Sequence, residues 1–419
     1  MAEPSSPSSP RRCSLRLFVV ALAALGVVAP PRPASALLLK GLPTLATGGS
    51  TGNHRPVGST AYAVGVFHRF RPPPWGGGNQ FLLALRAELR RRGVDVFEAT
   101  NFTYAPPAKD RPGKPVKKAS KQSVVYLANA ITFDKKLRQE LLNPKAKFPP
   151  RIPLVHRLDG PYYAARFGKD PRTEARQPWR AREDDEVYRI NARFACATVF
   201  QSQWSMAMNK LLGYTPQKPV RIIPNAADPA IFHSRGRTPW ERTPHRDPGA
   251  RDNRVRVLTS AWSDGPRKGY DTILWLDKNL DFTKYRLELY GRPTAASDFK
   301  NVVVRKPVDS YALAEELRES ADIFLTPSRL EPCSNSVVEA LASGLPVVYQ
   351  RGSGHDELVQ SGGIGFDVKE EISGALDRVV ADYKAYQGNI SAWSIERVAS
   401  EYADMFDYCH RERLKHVPR

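Results

Sequence analysis

Sulfur is scarce in this chain: four cysteines and four methionines in 419 residues. Cys13 falls in an amino-terminal segment read below as removable, which leaves Cys196, Cys333 and Cys409. That is an odd number without metal-ligand spacing, so a cysteine-based metal site is not indicated. One disulfide stays open, with buried free thiols as the plainer reading. Long hydrophobic runs are missing except for Leu17 to Ala29. That run is shorter than the ~20 residues a bilayer span needs, and no other segment could cross a membrane. RRM, KH and zinc-finger patterns are absent, as are basic stretches interleaved with aromatics, so a basic chain does not here imply nucleic acid. No sequence repeat occurs beyond two α/β halves.

What is present starts with charge. The net charge of +20 calls for an anionic partner or surface. Basic residues are spread, with clusters at Arg86–Arg92 and Lys109–Lys121; a solvated basic face is the plain alternative to a phosphate-rich substrate. Arg11, Arg12 and Arg16 precede the apolar run, and Ala34-Ser35-Ala36 follows it. This order predicts a secretory signal cleaved after Ala36, hence the ER/Golgi lumen or secretion, with a signal anchor or a plastid-targeting segment as alternatives. Asn101-Phe-Thr and Asn389-Ile-Ser are glycosylation sequons in that setting.

The informative stretch is Ala321–Phe366. Ile323-Phe324-Leu325 predicts a strand ending at the turn-prone Thr326-Pro327-Ser328. Glu331 and Glu339 follow eight positions apart, separated by Ser334, Asn335 and Ser336. Val337 to Ser343 predicts a helix closed by Gly344 and Pro346. Leu345 to Tyr349 predicts a strand running into Gly352-Ser353-Gly354. This is parallel α/β grammar, in which ligands sit beyond the carboxyl ends of strands. A loop entering a helix there offers free N–H groups to phosphate, and two carboxylates can accept sugar or ribose hydroxyls. The pattern therefore suits a sugar joined to a nucleotide diphosphate; a helix carrying two solvated glutamates is the plain alternative.

Earlier segments repeat the grammar. Ala61 to Phe67 predicts a strand, Pro72 to Gly78 a glycine-rich turn, Asn79 to Arg92 an amphipathic helix, and Val94 to Phe97 a strand: a βαβ unit whose glycine spacing is not the dinucleotide fingerprint. Residues 105–121 predict a loop or insertion. Pro153 to His156 predicts a strand that delivers Arg157, Asp159 and Gly160 at its end; His156 and Asp159 are site candidates, although Arg157 and Asp159 could simply pair. Arg254 to Ser260 opens a second half, followed by Arg267-Lys268-Gly269. Helices are predicted over Phe133 to Leu142, Glu183 to Ala195, Tyr311 to Ser320, Ile372 to Tyr386 and Ile395 to Arg413.

Glu331-Pro-Cys-Ser-Asn-Ser-Val-Val-Glu339 and the Ala-Leu-Ala-Ser-Gly-Leu-Pro-Val-Val after it resemble the E-x7-E motif of retaining GT-B glycosyltransferases, glycosyltransferase family 4 in particular. Val220-Arg-Ile-Ile-Pro-Asn225-Ala-Ala-Asp228 resembles that family's I-P-N-G-V-D segment, with Ala226 in place of glycine. Lys268-Gly269 matches its Lys-Gly, whereas Ser263 stands where a basic residue is usual and Arg267 is the substitute.

The resemblance implies two Rossmann-like domains across a cleft. Its boundaries are 1–36 signal, 37–58 linker, 59–232 acceptor-side domain, 233–253 linker, 254–390 nucleotide-sugar domain and 391–419 a helix returning to the first domain. It implies sugar transfer from a nucleotide-diphosphate sugar to an acceptor hydroxyl on a glycan, lipid or small molecule, with no cofactor and no metal. No Asp-x-Asp occurs, and Asp184-Asp185 is a helical pair. Glu331 would hold sugar hydroxyls, Glu339 the ribose, and His156 or Asp159 the sugar or acceptor. Lys268, Arg267 and N–H groups near Gly76, Gly77, Gly78 and Ser334, Asn335, Ser336 would take up diphosphate charge. The Ser263 and Ala226 departures keep a catalytically inactive binding protein open. Charge alone keeps open a nucleic-acid binder, which would bind with a steep salt slope.

Overall fold

Short β-branched runs alternate with amphipathic stretches through most of the chain, and the computed structural model turns them into two parallel sheets. It describes residues 62–71, 77–102, 123–129, 133–145, 152–161, 179–243, 249, 252–261, 263, 265–293 and 296–415. The predicted signal segment 1–36, the predicted linker 37–58, Gly76 and the predicted insertion 105–121 lie outside the described residues. All described residues belong to one unit, Gly52–Arg419.

The first sheet has the order β2-β1-β3-β4-β5-β6, all parallel, from β1 Tyr62–Phe67, β2 Val96–Glu98, β3 Ser123–Asn129, β4 Leu154–Leu158, β5 Ala195–Phe200 and β6 Val220–Ile222. Every residue of β1, β4 and β5 is buried, as expected of strands covered on both faces. One face carries α1 Gly77–Arg91, whose Phe81, Leu82, Leu85 and Leu89 enter the core. The other packs α2 Lys135–Leu142 and α3 Trp179–Phe194. Asp134 starts α2 by accepting the Leu137 N–H at 2.9 Å, and Ser202 starts α4 Gln203–Leu211 by accepting that of Ser205 at 3.0 Å.

The second sheet has the order β12-β11-β10-β7-β8-β9, again parallel. Its strands are β7 Val255–Ala261, β8 Tyr285–Gly291, β9 Val303–Arg305, β10 Ile323–Thr326, β11 Val347–Gln350 and β12 Gly363–Phe366. α5 Tyr270–Asn279 and α9 Ile372–Ala381 cover one face; α6 Ser310–Glu315 and α7 Asn335–Ala342 cover the other. Between β11 and β12 lies the five-residue α8 His355–Val359. The strand order reverses between β7 and β10, which places a ligand crevice at the ends of those two strands.

Two predicted helices are interrupted. The one expected over 372–386 breaks at Asp382 into α9 and α10 Tyr383–Gly388. The break turns Tyr383 inward to stack on Trp240, ring centroids 3.8 Å apart, and to donate its hydroxyl to the Asp322 carbonyl at 2.8 Å. The one expected over 311–320 ends in a wide turn at Glu316–Ser320. Helix α11 Ile395–Lys415 leaves the second half and returns to the first. Its stripe of Ile395, Val398, Ala399, Tyr402, Phe406 and Cys409 packs in the first sheet's core beside α1.

Candidate active site

The loops following β7 and β10 are laced together at the reversal point. Gly269, at φ +74°, ends the turn Pro266–Lys268 and starts α5; a Cβ there would lie 2.5 Å from the Pro327 carbonyl. The Arg329 N–H donates to the Arg267 carbonyl at 2.8 Å. Between these ties Lys268 Nζ donates to Glu331 Oε1 at 2.6 Å, with both side chains largely but not wholly buried. Leu330, just before Glu331, sits at φ +56°. A branched residue in that region is strained, and such strain gathers where a side chain must be aimed. Burial alone would push the Glu331 carboxyl up. The attraction and hydrogen bond of Lys268, with His355 and Arg267 nearby, hold it below the usual range.

The Glu331 loop is held from behind by the glycine loop. Gly354 donates its N–H to the Glu331 carbonyl at 2.8 Å, and a Cβ on Gly354 would fall 2.1 Å from the Pro332 carbonyl. His355 follows, completely buried, with Nδ1 3.2 Å from the Gln350 carbonyl and Nε2 without a hydrogen-bond partner. The carbonyl fixes a proton on Nδ1, and burial lowers the ring's pKa.

Helix α7 begins two residues earlier than its apolar run predicted, so Asn335 is its first residue and Ser334 its cap. Ser334 and Ser336 hydroxyls lie 3.0 Å apart. Asn335 Oδ1 accepts from Asn225 Nδ2 at 2.9 Å, and the Asn225 N–H points at Cys333 Sγ, 3.3 Å away. Burial pushes that thiol up to about 12. Glu339 is 8 % exposed and its carboxyl has no hydrogen-bond partner among the described residues; burial raises its pKa to about 8. It lines a tight crevice of only about 10 Å³ whose walls come from both halves, including Gln80, Phe81, Asp228 and Asn335. Gln80 Nε2 is also buried and unpartnered.

In the first half, the ends of β3, β4 and β5 meet at Asp159. It accepts from Asn129 Nδ2 at 2.5 Å, from Arg157 Nη1 at 2.9 Å and from Gln201 Nε2. Arg157, 2 % exposed, also reaches Asn225 Oδ1 at 2.6 Å. A continuous chain of polar contacts thus runs Asp159–Arg157–Asn225–Asn335 from one half to the other. Asp159 and Arg157 do pair, but within a larger network.

His156 departs from its predicted role. It is completely buried within β4, beside Asn191 Nδ2 at 3.4 Å and the Phe133 ring, on the opposite face of the sheet from Arg157. Alternation along the strand sends consecutive side chains to opposite faces, and an imidazole sealed beneath α3 packs the core instead of meeting a substrate. Gly77 opens α1. Gly78 is exposed, and a Cβ there would meet nothing within 4 Å, so no protein contact demands glycine. Asn79, in the first turn of α1, bonds His68 Nε2 at 3.0 Å and accepts the Arg71 N–H at 3.1 Å. Arg267 forms no ion pair among the described residues. Ser263 is exposed. Ala226 is buried and outside the left-handed region, so the residue in place of glycine fits its backbone. His355, Gln80 and Asn79 were not predicted; their only sequence signal is adjacency to the two glycine-rich turns. No group of three or more His, Cys, Asp or Glu side chains suited to a metal ion occurs among the described residues, and no described helix is long and apolar enough to cross a membrane.

Residues 270–382 match the family model described as "Glycosyl transferases group 1". Over 161 residues, 36% of this chain, there is 26% identity to a protein named "Probable sucrose-phosphate synthase" from Thermosipho melanesiensis; the match spans 38% of that relative's length. The solved sucrose-phosphate synthase of Thermosynechococcus elongatus superposes with a TM-score of 0.59 at 15% identity, covering 85% of this chain and 100% of that one. Anabaena HepE, solved in complex with UDP-glucose, gives 0.52 at 15% identity over 85% and 100%. These likenesses identify the architecture as the two-domain GT-B fold.

Proposed function

We propose that the chain is a glycosyltransferase that moves a sugar from a nucleotide-diphosphate sugar to an acceptor hydroxyl, keeping the anomeric configuration. The observation that carries the reading is the Lys268–Glu331 contact of 2.6 Å at the point where the second sheet reverses its order. A cation and a carboxylate held together in that crevice suit the two ends of the reacting bond. The bond from the anomeric carbon to the diphosphate breaks, the acceptor oxygen bonds to that carbon, and the acceptor's proton leaves with the diphosphate. Lys268 and Arg267 face the growing negative charge, worth roughly 10²–10³-fold in rate per well-placed donor. Glu331 accepts from sugar hydroxyls and Glu339 from the ribose. Asp159, at the strand ends of the first half, positions the acceptor. Retention rests on the E-x7-E resemblance, and the fold and the match over residues 270–382 support the reaction class.

The test begins with thermal-shift screening of UDP, GDP and ADP sugars, followed by assay of nucleotide release with candidate acceptors and NMR of the product's anomeric proton. Lys268→Ala and Glu331→Ala are each expected to abolish release while the protein stays folded. Near-normal turnover in either variant overturns the assignment. The exposed Ser263 in place of a basic residue favours a second reading, a nucleotide-sugar-binding protein without transfer. That reading predicts a thermal shift with no nucleotide release for any acceptor. The secretory reading of residues 1–36 is checked by sequencing the mature amino terminus.

A further inference from the structure

Glu357, on α8 of the second half, reaches into the first. Its Oε2 accepts the Gln203 N–H and its Oε1 the Trp204 N–H, both at 2.7 Å. These are the first two residues of α4. The first N–H groups of a helix have no partner inside it, and a carboxylate there also meets the positive end of the helix dipole. Ser202 satisfies the Ser205 N–H from within the first half, so the helix start is completed only by a residue 154 positions away.

Both ends of this contact run on toward the candidate site. Behind Glu357, α8 starts at His355, and the preceding Gly354 N–H holds the Glu331 carbonyl at 2.8 Å. Behind Trp204, the Ser205 hydroxyl donates to the Gly160 carbonyl at 3.0 Å, next to Asp159. Two short helices joined head to head by one carboxylate therefore span from the donor-side Glu331 loop to the acceptor-side Asp159 loop.

We infer that Glu357 is a positioning residue: by clasping the start of α4 it sets the spacing between the Glu331 loop and the Asp159 loop. The effect on turnover rests on the transfer reaction proposed above; the clasp itself does not. Asp at 357 is too short to reach both N–H groups, Gln replaces one acceptor by a donor, and Ala removes both.

The experiment uses the full chain and three readouts. In Glu357→Ala and Glu357→Gln, amide hydrogen exchange at Gln203 and Trp204 is expected to quicken at least about tenfold as the helix start opens locally. The distance distribution between spin labels at Lys210→Cys and Lys369→Cys, one on each half, should broaden. Nucleoside diphosphate affinity, measured with whichever of UDP, GDP or ADP the wild type binds, should stay within about twofold, because the variants leave the donor loops intact. Turnover should fall about 10²-fold, the cost of misplacing reacting groups by an ångström. Unchanged exchange and label distance overturn the clasp. Faster exchange with unchanged turnover overturns the positioning role. If the wild type transfers no sugar, exchange and label distance still decide the clasp, and only the transfer reading fails.

Discussion

Glu339 is a largely buried carboxyl group with no hydrogen-bond partner among the described residues, and its consequence for stability has a definite sign. Its pKa rises from an ordinary 4.5 to about 8 in the folded chain. Between those values the folded protein keeps a proton that the unfolded chain has released, so stability falls as pH rises through that window. Glu339→Gln cannot ionise. Relative to wild type its melting temperature is expected to gain from about pH 5 to about pH 8 and to level off above that, and a pH-independent difference would mean that the carboxyl is already solvated or paired. Glu331 behaves in the opposite sense. Its pKa is depressed, so its contribution is present above the unfolded value and is lost as acid protonates it. One helix and its entry loop thus hold two carboxyls with their pKa values pushed apart, one neutral and one charged near pH 7.

At the scale of elements, the site depends on backbones in contact. Gly354 has no room for a side chain against Pro332, and Gly269 has neither room against Pro327 nor a backbone conformation that other residues adopt readily. Gly354→Ala is expected to cost about 1–3 kcal/mol, the range for overpacking, and to displace the Glu331 loop, so that turnover drops further than stability implies. Chemical denaturation beside kinetics checks this; an unchanged rate would show that the loop tolerates the shift. Gly78→Ala, at a helical position with open space, should leave stability equal or raise it by up to about 1 kcal/mol, and lower turnover only if a ligand approaches that backbone. These loops were legible from the residues because glycine, proline and a strand end mark them directly, and Glu331 and Lys268 stand at fixed offsets from those marks. The apolar run that marks this strand in the sequence ends at His156, but β4 continues through Leu158, which puts the imidazole in the core. Glu357 carries no local signal, since its partner lies 154 positions away; Asn225 stands in a segment marked by resemblance, but nothing local shows that it bonds Asn335, 110 positions away.

For the whole molecule, the two sheets were readable as repeated strand–helix units, whereas what joins them was not. Spacing within a segment reports which face is apolar, not which distant sheet that face will cover. The last helix makes the point. α11 continues the chain of the second half, yet Tyr402, Phe406 and Cys409 are fully buried against β1, β3–β5 and α1 of the first. Arg92 reinforces the seam, with Nη2 on the Glu396 carbonyl at 2.6 Å and Nη1 on the Ser400 hydroxyl at 2.7 Å. The first core is therefore incomplete until the final twenty-odd residues of the fold have been made. Tyr402→Ala should destabilise by about 3–5 kcal/mol, as emptying a large aromatic position does, and the loss should be uneven. Amides of β1, β3, β4 and β5 should lose protection from hydrogen exchange while those of β7, β10 and β11 keep theirs, because the second sheet's own core lacks α11. Equal loss across both sheets would mean that the halves unfold as one cooperative unit, with the contacts of Asn225 and Glu357 strong enough to transmit the defect.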